Sequence, residues 1–173
     1  MKKAILILMV LLLLVTFASC GPRDYILNEK TFFLVMTNMQ YYPEQYLNSR
    51  VEFDCFIYEL FDVDGTLYIC GVRKCSSGYG CTCGKDTIIG FVLESEEELP
   101  KATNQSEDTN EKTWVHLSGK IKSADKTNIE IHSYLPDGSV DPSKTEQITF
   151  LVFVVESCDT IEDYSNLHYY VTE

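Results

Sequence analysis

The sequence predicts a mainly β fold: a small closed or partly closed β-barrel of about five to six strands, preceded by one helix. Three observations lead there. Short stretches of alternating apolar and polar residues recur between Val51 and Tyr134, separated by turn-forming residues. One stretch near the start, Phe32 to Met39, has apolar residues at helical spacing instead. The last run, Ile148 to Val155, is almost continuously apolar, as expected of a closing strand buried on both faces.

The N-terminus comes first. Met1-Lys2-Lys3 is a short positive region, and Ala4 to Val15 is an unbroken apolar one. Thr16-Phe17-Ala18-Ser19-Cys20-Gly21 follows, and small residues directly before a cysteine make a lipobox. Residues 1–19 are therefore expected to be a cleaved lipoprotein signal peptide, with Cys20 the acylated residue and 20–30 a tether. The apolar run is short for a membrane span, which takes about 20 residues. Two or three acyl chains give a lasting hold where one is marginal. The expected location is the extracytoplasmic face of the cell membrane, through the lipid.

The barrel domain is expected over 31–158, with 159–173 a tail. Phe32, Phe33, Val35, Met36 and Met39 predict a helix between Leu27 and Gln40, with Asn28 at its N-cap. It must stop before Tyr42-Pro43, because proline excludes the helical conformation from its predecessor; Pro43 to Leu47 adds a short turn. Met36 and Met39 are read as core packing. Val51, Phe53, Cys55 and Ile57 alternate with polar residues as a half-buried strand. Asp62-Val63-Asp64-Gly65 is a hairpin turn, since Asp-Gly supplies the positive φ that such turns need. Thr66 to Val72 forms the second strand and Thr87 to Leu93 the third, with a cysteine- and glycine-rich loop between them. Residues 94–113 carry seven acidic side chains and no aromatic one, which predicts a solvated acidic loop. Trp114 to Ile121 and Asn128 to Tyr134 predict two further strands. Pro136-Asp137-Gly138 and Asp141-Pro142 predict turns before the closing run. The lone Trp114 is expected to pack on the barrel.

Tyr46-Leu47-Asn48-Ser49-Arg50-Val51-Glu52-Phe53-Asp54-Cys55-Phe56-Ile57-Tyr58 resembles the opening of small bacterial OB-fold lipoproteins. The ensemble is most similar to the C-terminal extracytoplasmic domain of a two-component membrane permease subunit family of unknown activity. Its cysteine loop, third strand and late Trp-Val strand correspond here to Cys75, Cys81 and Cys83, to Gly90-Phe91-Val92, and to Trp114-Val115-His116-Leu117-Ser118-Gly119. The likeness spans roughly Phe32 to Val155. It implies an OB-like barrel; an envelope or permease protein is the candidate partner, but the permease partnership of that family is not inherited through the resemblance. Cys81-Thr82-Cys83 stands where that family has adjacent cysteines, and the family's membrane-spanning half has no counterpart.

Charge and cysteines bound the function. A formal net charge of −12 disfavours nucleic acid as a partner, because phosphate backbones are held by Lys and Arg. With Cys20 taken by lipid, six cysteines remain: Cys55, Cys70, Cys75, Cys81, Cys83 and Cys158. An even number outside the cytoplasm suits disulfides, whose connectivity the sequence leaves open. The rival is a thiolate metal site. Cys75, Cys81 and Cys83 are its candidate ligands for Zn²⁺, with Cys70 or His116 as the fourth, and soft thiolates suit Cu(I) as well. A thiol-redox loop is a third reading, although Cys-x-x-Cys before a helix is lacking. Gly78, Gly80 and Gly84 suit any loop that draws cysteines together. His116, His132 and His168 lie in no nucleophile or metalloprotease motif, and catalysis is not predicted. His168-Tyr169-Tyr170 is read as a frayed or packed end. The expected function is a non-enzymatic, membrane-anchored binding or accessory domain without a certain cofactor; the alternative is a Zn or Cu handling protein of the cell envelope.

Overall fold

The computed structural model describes residues 23–75, 87–105, 109–134 and 139–171. The expectations for 1–19, Cys20, Cys81, Cys83 and the Pro136-Asp137-Gly138 turn lie outside the described residues. The described chain is mainly β. Its strands are β1 (Asp24–Ile26), β2 (Arg50–Phe61), β3 (Leu67–Cys75), β4 (Thr87–Glu94), β5 (Trp114–Tyr134), β6 (Val140–Thr160) and β7 (Tyr170–Val171). One helix, α1 (Phe32–Tyr41), precedes β2.

These strands form one sheet in the order β1-β2-β5-β6-β4-β3-β7, with β2 and β3 also paired. Because β2, β5, β6, β4 and β3 each pair with the next, the sheet is partly ring-closed. Three consecutive antiparallel strands, β2, β3 and β4, are followed by β5, which returns beside β2 as in a Greek key. β6 then lies between β5 and β4, antiparallel to the first and parallel to the second.

Alternation along the strands builds the core. Val51, Phe53, Cys55 and Ile57 of β2 face inward and meet Phe91, Val115, Leu117, Leu151 and Phe153 from the other strands. Phe32, Met36 and Met39 recur at helical spacing on α1, are almost fully buried, and join the same cluster. Each such side chain contributes roughly 1.5–3 kcal/mol of burial. Gln40 Nε2 donates to the Gly90 carbonyl at 2.8 Å, tying the helix end to β4. At Gly90 a Cβ would lie 2.0 Å from the Gly71 carbonyl oxygen, so only glycine lets β3 and β4 approach. The hairpin at Asp62 is as expected, with Gly65 at φ +88° and Asp62 accepting from the Gly65 N–H at 2.9 Å.

Several expectations are corrected. The helix begins at Phe32 because Asn28 Oδ1 accepts from the N–H groups of Lys30 (3.0 Å) and Thr31 (3.2 Å), closing a turn before the helix. Within the expected tether, Asp24–Ile26 pairs in parallel with β2 as β1. The two strands expected over 114–134 are one, since β6 pairs with both halves and absorbs the break as an irregularity between Ile121 and Lys126. Asp141-Pro142 lies inside β6. There Ser133 pairs with Asp141 but His132 with Thr145, and Asp141 Oδ1 accepts from the Ser143 N–H at 3.0 Å, so the expected turn is a bulge. The closing run is less covered than expected: Phe150, Leu151 and Phe153 are buried, whereas Val154 is 38% exposed.

β2 is also more than half-buried. Phe56 and Leu60, with Cys70, Val72, Val92, Trp114, Ile129 and Phe150, form a second cluster on the other face of the strands. The C-terminal segment covers it: Tyr164 stacks on Trp114 (6.4 Å between ring centroids) and Tyr169 on Phe56 (5.4 Å). Trp114 is thus packed, and His168-Tyr169-Tyr170 is a packed end. The stretch after β4 holds no strand or helix in its described residues, yet it folds back. Leu99 and Ala102 touch the inner core, Lys112 is buried, and Asn104 Nδ2 donates to the Glu111 carbonyl at 2.8 Å.

Candidate functional site

The loop between β3 and β4 carries the candidate metal ligands, and its described end is Cys75. Cys75 is buried, and its register partners are Thr87 of β4 and Val171 of β7. Cys70 lies five residues earlier on the same strand, so alternation turns it to the opposite face. The two thiols sit in different clusters, Cys75 in the inner core and Cys70 in the second. The strand therefore does not aim Cys70 at an ion held by Cys75.

The disulfide candidates separate in the same way. The four described cysteines, Cys55, Cys70, Cys75 and Cys158, are free thiols. Cys55 on β2 pairs with Val115, and Cys158 on β6 pairs with Leu117, so β5 lies between them. Two strand spacings amount to about 9–10 Å. A disulfide needs Cα atoms within about 7 Å. In this fold the two cysteines stand on strands separated by β5.

Burial sets the chemistry of these thiols. It pushes Cys70 up to about 12 and Cys75 up to about 11, the latter partly offset by the positive charge of Arg73. Cys55 is pushed well above its ordinary value by burial and then by the neighbouring Cys158, and Cys158 is itself raised by burial and Asp159. The thiolate is the nucleophile and the metal ligand, and burial by itself favours the protonated, unreactive form of these thiols. His116, the other proposed fourth ligand, is held by Asp54, with Nδ1 and Oδ1 at 2.7 Å across the β2–β5 register. Among the described residues no group of three or more His, Cys, Asp or Glu is placed to hold a metal ion.

Two features escaped the sequence reading. The first is Arg73, whose side chain is 1% exposed. Its guanidinium donates to Glu29 Oε1 (2.8 Å) and Oε2 (3.0 Å), and to the carbonyl of His168. It also lies over the rings of Phe32 (5.3 Å) and Trp114 (4.9 Å). One buried cation thus ties the segment before α1 and the C-terminal segment to the middle of β3. The only sequence signal was the Arg73-Lys74 pair of charges near the end of a largely apolar strand.

The second is a groove of about 420 Å³ beside the β2–β3 hairpin. Leu67, Tyr68 and Ile69 of β3, Val92 and Leu93 of β4, and Leu99 form its apolar part. Glu59, Glu97, Glu98 and Lys101 stand around it. Its size lies within the range of small ligand sites. Leu99 was hidden in a stretch that composition marked as acidic and solvated, so no local pattern announced the groove.

Among the described residues no helix is long and apolar enough to cross a membrane. Comparison with known protein families, with characterised proteins and with solved structures returns no match to this chain.

Proposed function

We propose that the chain is a non-enzymatic binding or accessory domain of OB-like architecture, held through lipidated Cys20 on the extracytoplasmic face of the cell membrane. The strand order is the observation that carries the fold half of this reading. A Greek key of β5-β2-β3-β4, completed by β6, is the plan of a small, partly open five-stranded barrel. The inner core takes in Phe32, Met36 and Met39 of α1, so the helix serves the barrel as packing. The Ala18-Ser19-Cys20 lipobox supports the anchor. An apolar groove with charged groups around it supports binding as the task.

The anchor is tested by expressing the full chain in bacteria fed an alkyne-tagged palmitate analogue. Wild type is expected to take the label and sediment with membranes, and Cys20→Ser to do neither. An unlabelled wild type, or a labelled Cys20→Ser, would refute it. Native mass spectrometry of the same material addresses metal handling. A mass excess present in wild type and absent from a Cys81→Ser, Cys83→Ser double variant would replace the binding reading with Zn or Cu handling.

A further inference from the structure

The groove beside the hairpin has a strand edge along it. The ladder between β3 and β4 stops at Cys70–Val92, while the other edge of β4 stays paired with β6 from Phe91 to Glu94. Leu67, Tyr68 and Ile69 are paired with β2 on one side only. The groove runs along these residues, with Glu59 of β2, Val92 and Leu93 of β4 and the segment after β4 as its other walls. An edge of this kind presents backbone donors and acceptors at the spacing of a strand.

The side chains add a second selection. Phe61 and Leu67 face each other across the hairpin, are 59% and 46% exposed, and continue the apolar floor outward. Glu97 and Glu98 are exposed, and no ion pair engages either among the described residues. Glu59 adds a third carboxylate, although its Oε1 already accepts from the Ala102 N–H at 3.2 Å. Lys101 is the single cation on the rim. The chain's formal net charge of −12 attracts positive partners to the same place.

We propose that this groove receives an extended segment of a partner polypeptide in which Lys or Arg alternates with apolar residues. The segment adds as a strand to the edge of β3 at Leu67–Ile69. Its period of two sends apolar side chains to the floor and cationic ones to the carboxylate rim. Backbone pairing supplies affinity, while the alternation of floor and rim supplies selection. The assignment rests on the binding-domain reading above and names its partner class.

The test uses the full chain in a neutral detergent and a fluorescein-labelled heptapeptide of alternating lysine and valine, followed by anisotropy. Saturable binding is expected, weakening at least about fivefold as salt rises from roughly 50 to 500 mM, because exposed charges are screened. A Glu97→Lys, Glu98→Lys double variant should bind at least about tenfold more weakly, since both rim charges then repel the peptide. Leu67→Glu should do the same. A Glu44→Lys, Glu162→Lys control makes the same charge change elsewhere on the surface and should stay within about twofold. Replacing the central residue of the peptide by proline should cost at least about tenfold, through the lost backbone donor. Absence of binding, equal binding of a glutamate–valine peptide, or equal loss in the control variant overturns the assignment. Full binding of the proline peptide overturns strand addition. Failure here with palmitate labelling intact removes the groove assignment and leaves the anchor; the converse pattern removes the anchor and leaves the groove.

Discussion

Glu29→Gln tests whether Arg73 organises the fold. The change keeps size and shape but removes the negative charge from a guanidinium that is 1% exposed and bound by two contacts, at 2.8 and 3.0 Å. Breaking a fully buried pair from one side costs about 3–5 kcal/mol, because a charge is left without its counter-charge. Two features lower that figure here. The Glu29 side chain is 30% exposed, so water screens the pair, and Arg73 keeps the His168 carbonyl and two aromatic faces. The expected loss is about 2–3 kcal/mol. For a domain of this size that lowers Tm by roughly 6–9 °C. Circular dichroism melts of both chains at one pH and salt concentration measure it. Arg73→Met together with Glu29→Gln should recover part of the loss, because no buried charge is then left without a partner. A Glu29→Gln chain within about 0.5 kcal/mol of wild type would refute the reasoning, since that is the scale of an ordinary surface change.

Two further predictions concern packing and pH. Gly90→Ala should cost about 3 kcal/mol or more, because its Cβ meets backbone that cannot rotate away. Gly65→Ala, at φ +88° with open space around it, should cost only about 1–2 kcal/mol; chemical denaturation ranks the two, and the reverse order would refute the close-approach argument. Stability should also fall above about pH 9. Cys70 and Cys75 stay protonated in the fold to about 12 and about 11, while the unfolded chain releases those protons near the ordinary thiol value of 9.0. Between those limits the folded state binds more protons than the unfolded one, so stability declines as pH rises, by up to about 1.4 kcal/mol per pH unit for each thiol. Urea midpoints at pH 8 and pH 10 read the decline, and a serine at each position should flatten it. Equal midpoints in wild type would refute the shift.

Much of the fold was legible along the chain. The hairpin at Asp62-Val63-Asp64-Gly65, the strand alternation of Val51 to Ile57 and the helical spacing of Phe32, Met36 and Met39 are local signals. Each depends on residues within one or two turns or one strand, so the sequence states them directly. What escaped is non-local. The break between Ile121 and Lys126 looks like the end of a strand until β6 is found pairing on both sides of it.

Composition marked 94–113 as acidic and solvated, yet Leu99 and Lys112 fold back onto the domain. The six cysteines looked like one reservoir of pairs. Only the placement of β5 between β2 and β6 separates Cys55 from Cys158, and only the alternation of β3 sends Cys70 and Cys75 to different cores. By itself, then, the sequence determined the helix, the hairpin turn and the central stretches of β2 to β6, because propensity and periodicity act over a few residues. The tertiary structure decided the strand order, the Arg73–Glu29 clasp and the groove by the hairpin. Each brings together residues from distant parts of the chain, and that proximity follows from strand order and register.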